Sequence, residues 1–179
     1  MKKALIVIDM LKDFINKDGA LYCGEMTTKM VPHVVARVKE YNDNELPIIF
    51  VCDNHNENDL EFERFPKHCV AFTDGASLIK ELEHPTVDNI AHVYKNRFSG
   101  FHNTNLDFVL SEFFGMKPND SVIEVCGVCT HICVSDTVGD LTNRNYHTVI
   151  NRRCVGDFDK DMHTFALKRM KNIYGTEII

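Results

Sequence analysis

Short runs of apolar, largely β-branched residues recur along the chain at 4–8 (ALIVI), 47–52 (PIIFVC), 90–94 (IAHVY), 122–128 (VIEVCGV) and 147–150 (HTVI), with a weaker one at 175–179. The runs are continuous rather than alternating, the pattern of strands covered on both faces. Between them the apolar positions take helical spacing. Met30, Val31, Val34, Val35 and Val38 make one stripe within a helix predicted over 28–41. Further helices are predicted over 106–114, after the capping types Asn103, Thr104 and Asn105, and over 131–144 and 161–172. Strand–helix alternation of this kind predicts an α/β fold: a three-layer α/β/α sandwich around a mainly parallel five- or six-stranded sheet. No repeat, low-complexity tract or composition break interrupts it, so residues 1–179 read as one domain.

Composition narrows the function classes. A formal charge of −6 without a Lys/Arg block argues against a nucleic-acid surface. The apolar start is cut short by Asp9, and no stretch reaches the ~20 apolar residues of a membrane span. A cytoplasmic protein is expected. Seven scattered cysteines, an odd count, do not make a disulfide framework, and those within apolar runs read as small core residues.

Candidate chemistry gathers where the strands end. In a parallel sheet, ligands bind beyond the C-terminal ends of the strands. The first run is followed by Asp9, the second by Asp53 and His55, the third by Lys95, and the fourth by Cys129-Thr130-His131-Ile132-Cys133. One rim thus receives carboxylates, an imidazole, an amine and a thiol. Cys133 opens a predicted helix, whose N–H groups and dipole favour a thiolate, and a Lys95 ammonium acts in the same direction. Asp9 can take the thiol proton and return it to an amine leaving group. Backbone N–H groups around Cys129–Cys133 can serve an oxyanion. His131 lies two residues before Cys133, a spacing that points the side chains apart and disfavours a Cys–His pair.

Segment 53–75 (DNHNENDLEFERFPKHCVAFTDG) is long for a connection. Its Asp53-x-His55 pair and His68 can ligate a divalent ion, with Glu61 or Glu63 as a further carboxylate; a solvated polar loop is the other reading. No Gly-rich phosphate loop is present, so no nucleotide cofactor is expected.

LIVIDMLKDF at the start, YKNRFSGF in the middle and GVCTHICVSDT late in the chain resemble the isochorismatase-like cysteine hydrolases, and DNH, FPKHCV and TDG resemble the metal loop of the nicotinamidase (pyrazinamidase) branch. The resemblance implies an Asp9–Lys95–Cys133 triad, a cis peptide between Val128 and Cys129, and an oxyanion hole at the Cys129 and Cys133 amides. It also implies zinc, iron or manganese on Asp53, His55, His68 and Glu61, and Phe14, Phe65 and Phe98 around a substrate ring. The implied activity is amide hydrolysis, nicotinamide to nicotinate and ammonia through a thioester, by a protein that self-associates. The family usually has Asp where His131 stands. Two alternatives remain open: another amide or ureide cleaved by the same triad, and a redox or zinc protein built on Cys126-x-x-Cys129. A redox C-x-x-C should open a helix, whereas this one ends a strand.

Overall fold

The computed structural model describes residues 1–84 and 87–179. Strands β1 (Lys2–Ile8), β2 (Ile48–Asp53), β3 (Ile90–Lys95), β4 (Ser121–Val128), β5 (His147–Gly156) and β6 (Glu177–Ile178) form one sheet in the order β3-β2-β1-β4-β5-β6. Every neighbouring pair is parallel. Helices α1 (Lys12–Ile15), α2 (Glu25–Asp43), α3 (Leu106–Phe108), α4 (Ser135–Asn143) and α5 (Lys160–Tyr174) cover its faces.

The central strand explains why the runs are continuous. Ala4, Ile6 and Ile8 pack on one side with Val138 and Leu141 of α4 and Leu167 and Met170 of α5. Leu5 and Val7 face the opposite side, with Met30, Val34 and Tyr41 of α2. Each buried aliphatic side chain contributes about 1.5–3 kcal/mol, and a strand between two helical layers has no solvent face on which to place a polar residue. The three-layer arrangement expected from the pattern is the one observed. None of the described helices is long and apolar enough to cross a membrane.

The boundaries differ from expectation in instructive places. β5 continues six residues past the expected 147–150, through Asn151, Arg152 and Arg153, which are partly or fully exposed. Those polar side chains read as a turn, yet the backbone stays extended and Arg152 N–H bonds Ile179 O at 2.9 Å. The helix expected over 106–114 is helical only to Phe108 and then widens into a π-type turn closed by Phe114 N–H on Val109 O at 3.1 Å. That turn buries Val109 and Leu110 while leaving Phe108 and Phe113 outside. A π-type turn also begins the helix expected at 131, with Val134 N–H on Cys129 O at 3.3 Å, before α4 continues regularly. α1 is a single turn of four residues, too short for periodicity to reveal.

Candidate active site

The C-terminal ends of β1–β4 converge on one rim. Asp53 and Lys95 close β2 and β3 in register with each other. Asp9 follows β1 with φ 52°, a left-handed turn that brings its carboxylate back over β2: Oδ1 accepts from Asp53 N–H at 2.8 Å. Gly127, at φ 114°, lies so close to the Ile8 carbonyl that a Cβ would have no room, and this glycine lets β4 end beside β1. The Val128–Cys129 peptide is cis, and Cys133 sits in the π-type turn that follows.

Lys95 is the hub. Its Nζ lies 2.8 Å from Asp9 Oδ2 and 3.6 Å from Cys133 Sγ, and it also donates to Asp53 Oδ1. Burial alone would favour the neutral amine, but Asp53 and Asp9 outweigh it and hold Lys95 well above its ordinary pKa. Two carboxylates thus share one ammonium. Burial, with repulsion from Asp53, pushes Asp9 up to about 7 against the pull of Lys95. Cys133 departs from expectation. Lys95 does draw its pKa down, but burial dominates and holds the thiol well above the ordinary range.

Beside this group lies the only set of three or more potential metal ligands among the described residues: one donor atom each from Asp53, His55 and His68, all within 4.8 Å of one another. His55 Nε2 and His68 Nε2 are 3.6 Å and 3.9 Å from Asp53 Oδ2. The other ring nitrogens are engaged, His55 Nδ1 with Asp59 Oδ2 at 3.1 Å and His68 Nδ1 with Pro66 O at 2.7 Å. Both partners are acceptors only, so in the neutral ring each Nδ1 carries the hydrogen and each Nε2 presents a lone pair. His55 Nε2 and Glu61 Oε2 are buried without a hydrogen-bond partner. Orphaned acceptors around a carboxylate and two imidazoles fit a divalent first-row ion, with Glu61 adjoining the trio. Glu63, the other carboxylate considered, is exposed.

Segment 53–75 is held in place rather than looping freely. His55 and Val70 form a bridge, and Asp13 accepts from Cys69 N–H at 2.7 Å and Ala20 N–H at 3.1 Å. A cavity of about 300 Å³ opens between this segment and Cys133. Asp9, Asp53, Glu61, His68, Cys129 and Cys133 reach it, and Phe14, Phe65 and Phe98 line it. Its size sits at the lower end of small-molecule sites. Lys95 and His55 stand behind this wall.

Tyr22, Cys23, Ile132 and Phe158 also line the cavity and were not anticipated. Phe158 had a signal: it follows β5, and the strand-end rule would have found it had the strand been read through to Gly156. Tyr22 and Cys23 come from an irregular segment that no periodicity marks. His131, as expected, is not paired with Cys133. Its Nδ1 lies 2.7 Å from Asp157 Oδ2, and its backbone N–H donates to the same oxygen at 2.9 Å.

Comparison with known proteins shows the family and the fold. The isochorismatase domain model matches residues 3–178. The structure of nicotinamidase/pyrazinamidase PncA from Bacillus subtilis is 32% identical, covers 99% of each chain and superposes with a TM-score of 0.93. A pyrazinamidase of Pyrococcus horikoshii, solved in complex with zinc, is 28% identical over 100% of this chain and 99% of its own, with a TM-score of 0.88. An Arabidopsis thaliana protein described as a probable inactive nicotinamidase is 29% identical over 95% of this chain and 88% of its own.

Proposed function

The chain belongs to the isochorismatase family and is an amide hydrolase by its kinship; from that premise we propose that it is a cysteine-dependent nicotinamidase, converting nicotinamide to nicotinate and ammonia. Because one relative is described as a probable inactive nicotinamidase, the substrate and the cysteine chemistry rest on the site rather than on kinship. The observation that carries it is the contact of Lys95 with both Asp9 and Cys133 at the wall of a small aromatic-lined cavity that adjoins the Asp53–His55–His68 cluster.

The proposed reaction follows from the proton affinities. Burial holds both the Asp9 carboxyl, pushed up to about 7, and the Cys133 thiol above their ordinary ranges, and Asp9 is the carboxylate placed to take the thiol proton. Sulfur then bonds to the amide carbon as Asp9 takes the thiol proton, and the Lys95 ammonium stabilises the charge on sulfur. The oxyanion is received by the backbone N–H groups of Cys129 and Cys133. Asp9 passes its proton to the amide nitrogen, the C–N bond breaks, and ammonia leaves a thioester on Cys133. A water molecule, losing a proton to Asp9, adds to the thioester carbon; the acid departs and the thiol is restored.

Phe14, Phe65 and Phe98 wall the ring. Asp53, His55, His68 and Glu61 would hold one divalent ion, zinc, iron or manganese. Such an ion supplies a Lewis acid to anchor a pyridine nitrogen. Ammonia release from nicotinamide by the purified, metal-loaded protein tests the reading. Rapid release is expected; no release, with Cys133 still selectively alkylated, would overturn the substrate and direct the search to other amides and ureides.

A further inference from the structure

Asp59 lies outside the candidate ligand set, yet its carboxylate is only 4% exposed and fully engaged. Arg97 Nη1 donates to both oxygens at 3.0 and 3.1 Å, Glu61 N–H donates to Oδ1 at 2.9 Å, and His55 Nδ1 donates to Oδ2 at 3.1 Å. Capping the turn at Leu60–Glu63 needs only a neutral acceptor such as Asn or Ser, and withdrawing a carboxylate from water is costly unless it is paired. A full charge at this position therefore has a use that capping does not explain.

The use is visible at His55. Because the carboxylate can only accept, it fixes the hydrogen of the neutral ring on Nδ1 and leaves the lone pair on Nε2, the buried atom without a hydrogen-bond partner that faces Asp53. Arg97 occupies both oxygens of Asp59, which keeps that carboxylate turned toward the ring and withdrawn from the cluster itself. We infer that Asp59, locked by Arg97, is the positioning residue that holds His55 as a ligand for the divalent ion; this rests on the metal reading above. Arg97 lies two residues beyond Lys95, so one short segment supports both the thiol's neighbour and the ion's ligand.

The test is zinc affinity, measured by chelator competition on wild-type, Asp59→Asn and Arg97→Gln proteins, with melting of each metal-free form. Asp59→Asn keeps an acceptor for Glu61 N–H, so the turn stays capped. The expected result is zinc bound roughly 10–100-fold more weakly by Asp59→Asn, the usual effect of losing such a partner, with metal-free melting little changed. Arg97→Gln, which leaves Asp59 and its cap intact, should weaken zinc in the same direction and decides the matter if Asp59→Asn does not fold. Wild-type affinity retained in the folded variants, or a loss confined to metal-free melting, overturns the positioning role. Failure of the wild type itself to bind zinc, iron or manganese would instead overturn the metal reading beneath it.

Discussion

Asp53 and Lys95 end neighbouring strands in register, and their side chains meet: the ammonium rests on Asp53 Oδ1 while Oδ2 faces the imidazoles of His55 and His68. One carboxylate is therefore common to the group around Cys133 and to the candidate metal cluster. The consequences can be measured separately.

Replacing Lys95 with Met should cost stability as well as turnover. It leaves the Asp9 and Asp53 carboxylates buried together without a cation, and breaking a buried pair in this way costs about 3–5 kcal/mol. Urea denaturation near neutral pH measures it. A loss below about 1 kcal/mol would show that the two carboxylates are not held apart from solvent as described.

Cys133→Ala should abolish turnover, by about a thousandfold or more, and barely alter melting, because a small residue still fits the site. Steady-state ammonia release on the folded variant is the measurement. Appreciable turnover would remove Cys133 from the role of nucleophile.

His55→Ala should lose bound metal and weaken substrate binding, a larger effect than its change in the melting of metal-free protein. Chelator treatment of the wild type should mimic the variant and be reversed by added zinc, iron or manganese. Undiminished metal content in His55→Ala would mean that segment 53–75 has been misread.

His163 gives a pH signature beside the turn that carries Cys133. Burial holds it below its ordinary 6.5, with Arg152 reinforcing and Asp157 opposing, while Nδ1 contacts Thr130 Oγ1 at 2.9 Å. The unfolded chain takes up its proton first as pH falls. His163's contribution to stability is therefore complete above about 6.5 and is lost as pH drops toward the lower folded value. His163→Gln should melt with a smaller difference between about pH 7.5 and pH 5 than the wild type; equal differences would show that the half-buried His163 is not held neutral by its surroundings.

The strand-end rule made much of the site legible because it depends only on where apolar runs stop. Asp9, Asp53, Lys95 and Cys129 each follow or close such a run, and parallel strands deliver their ends to one edge. The rule failed at β5, where Asn151, Arg152 and Arg153 mimic a turn, and Phe158 was missed with it. Among the cavity's other walls, Tyr22 and Cys23 come from chain without periodicity, and their place depends on tertiary packing. Cys133 shows a second limit: its cation and its helix start are legible in the sequence, and Lys95 does draw the thiol pKa down, but the depth of burial that opposes it is a property of the assembled layers.

Asp13 shows how far segment 53–75 can be treated as a module. Its carboxylate accepts from Cys69 and Ala20 and packs against Gly75, where a side chain would strike it. The segment's shape is thus written partly in residues 13–20, some forty positions upstream. Grafting 53–75 alone onto another scaffold would transfer the ligands without the brace that shapes them. A transplant would have to carry both stretches, and recombination between related chains should succeed only at crossovers that inherit both from the same parent.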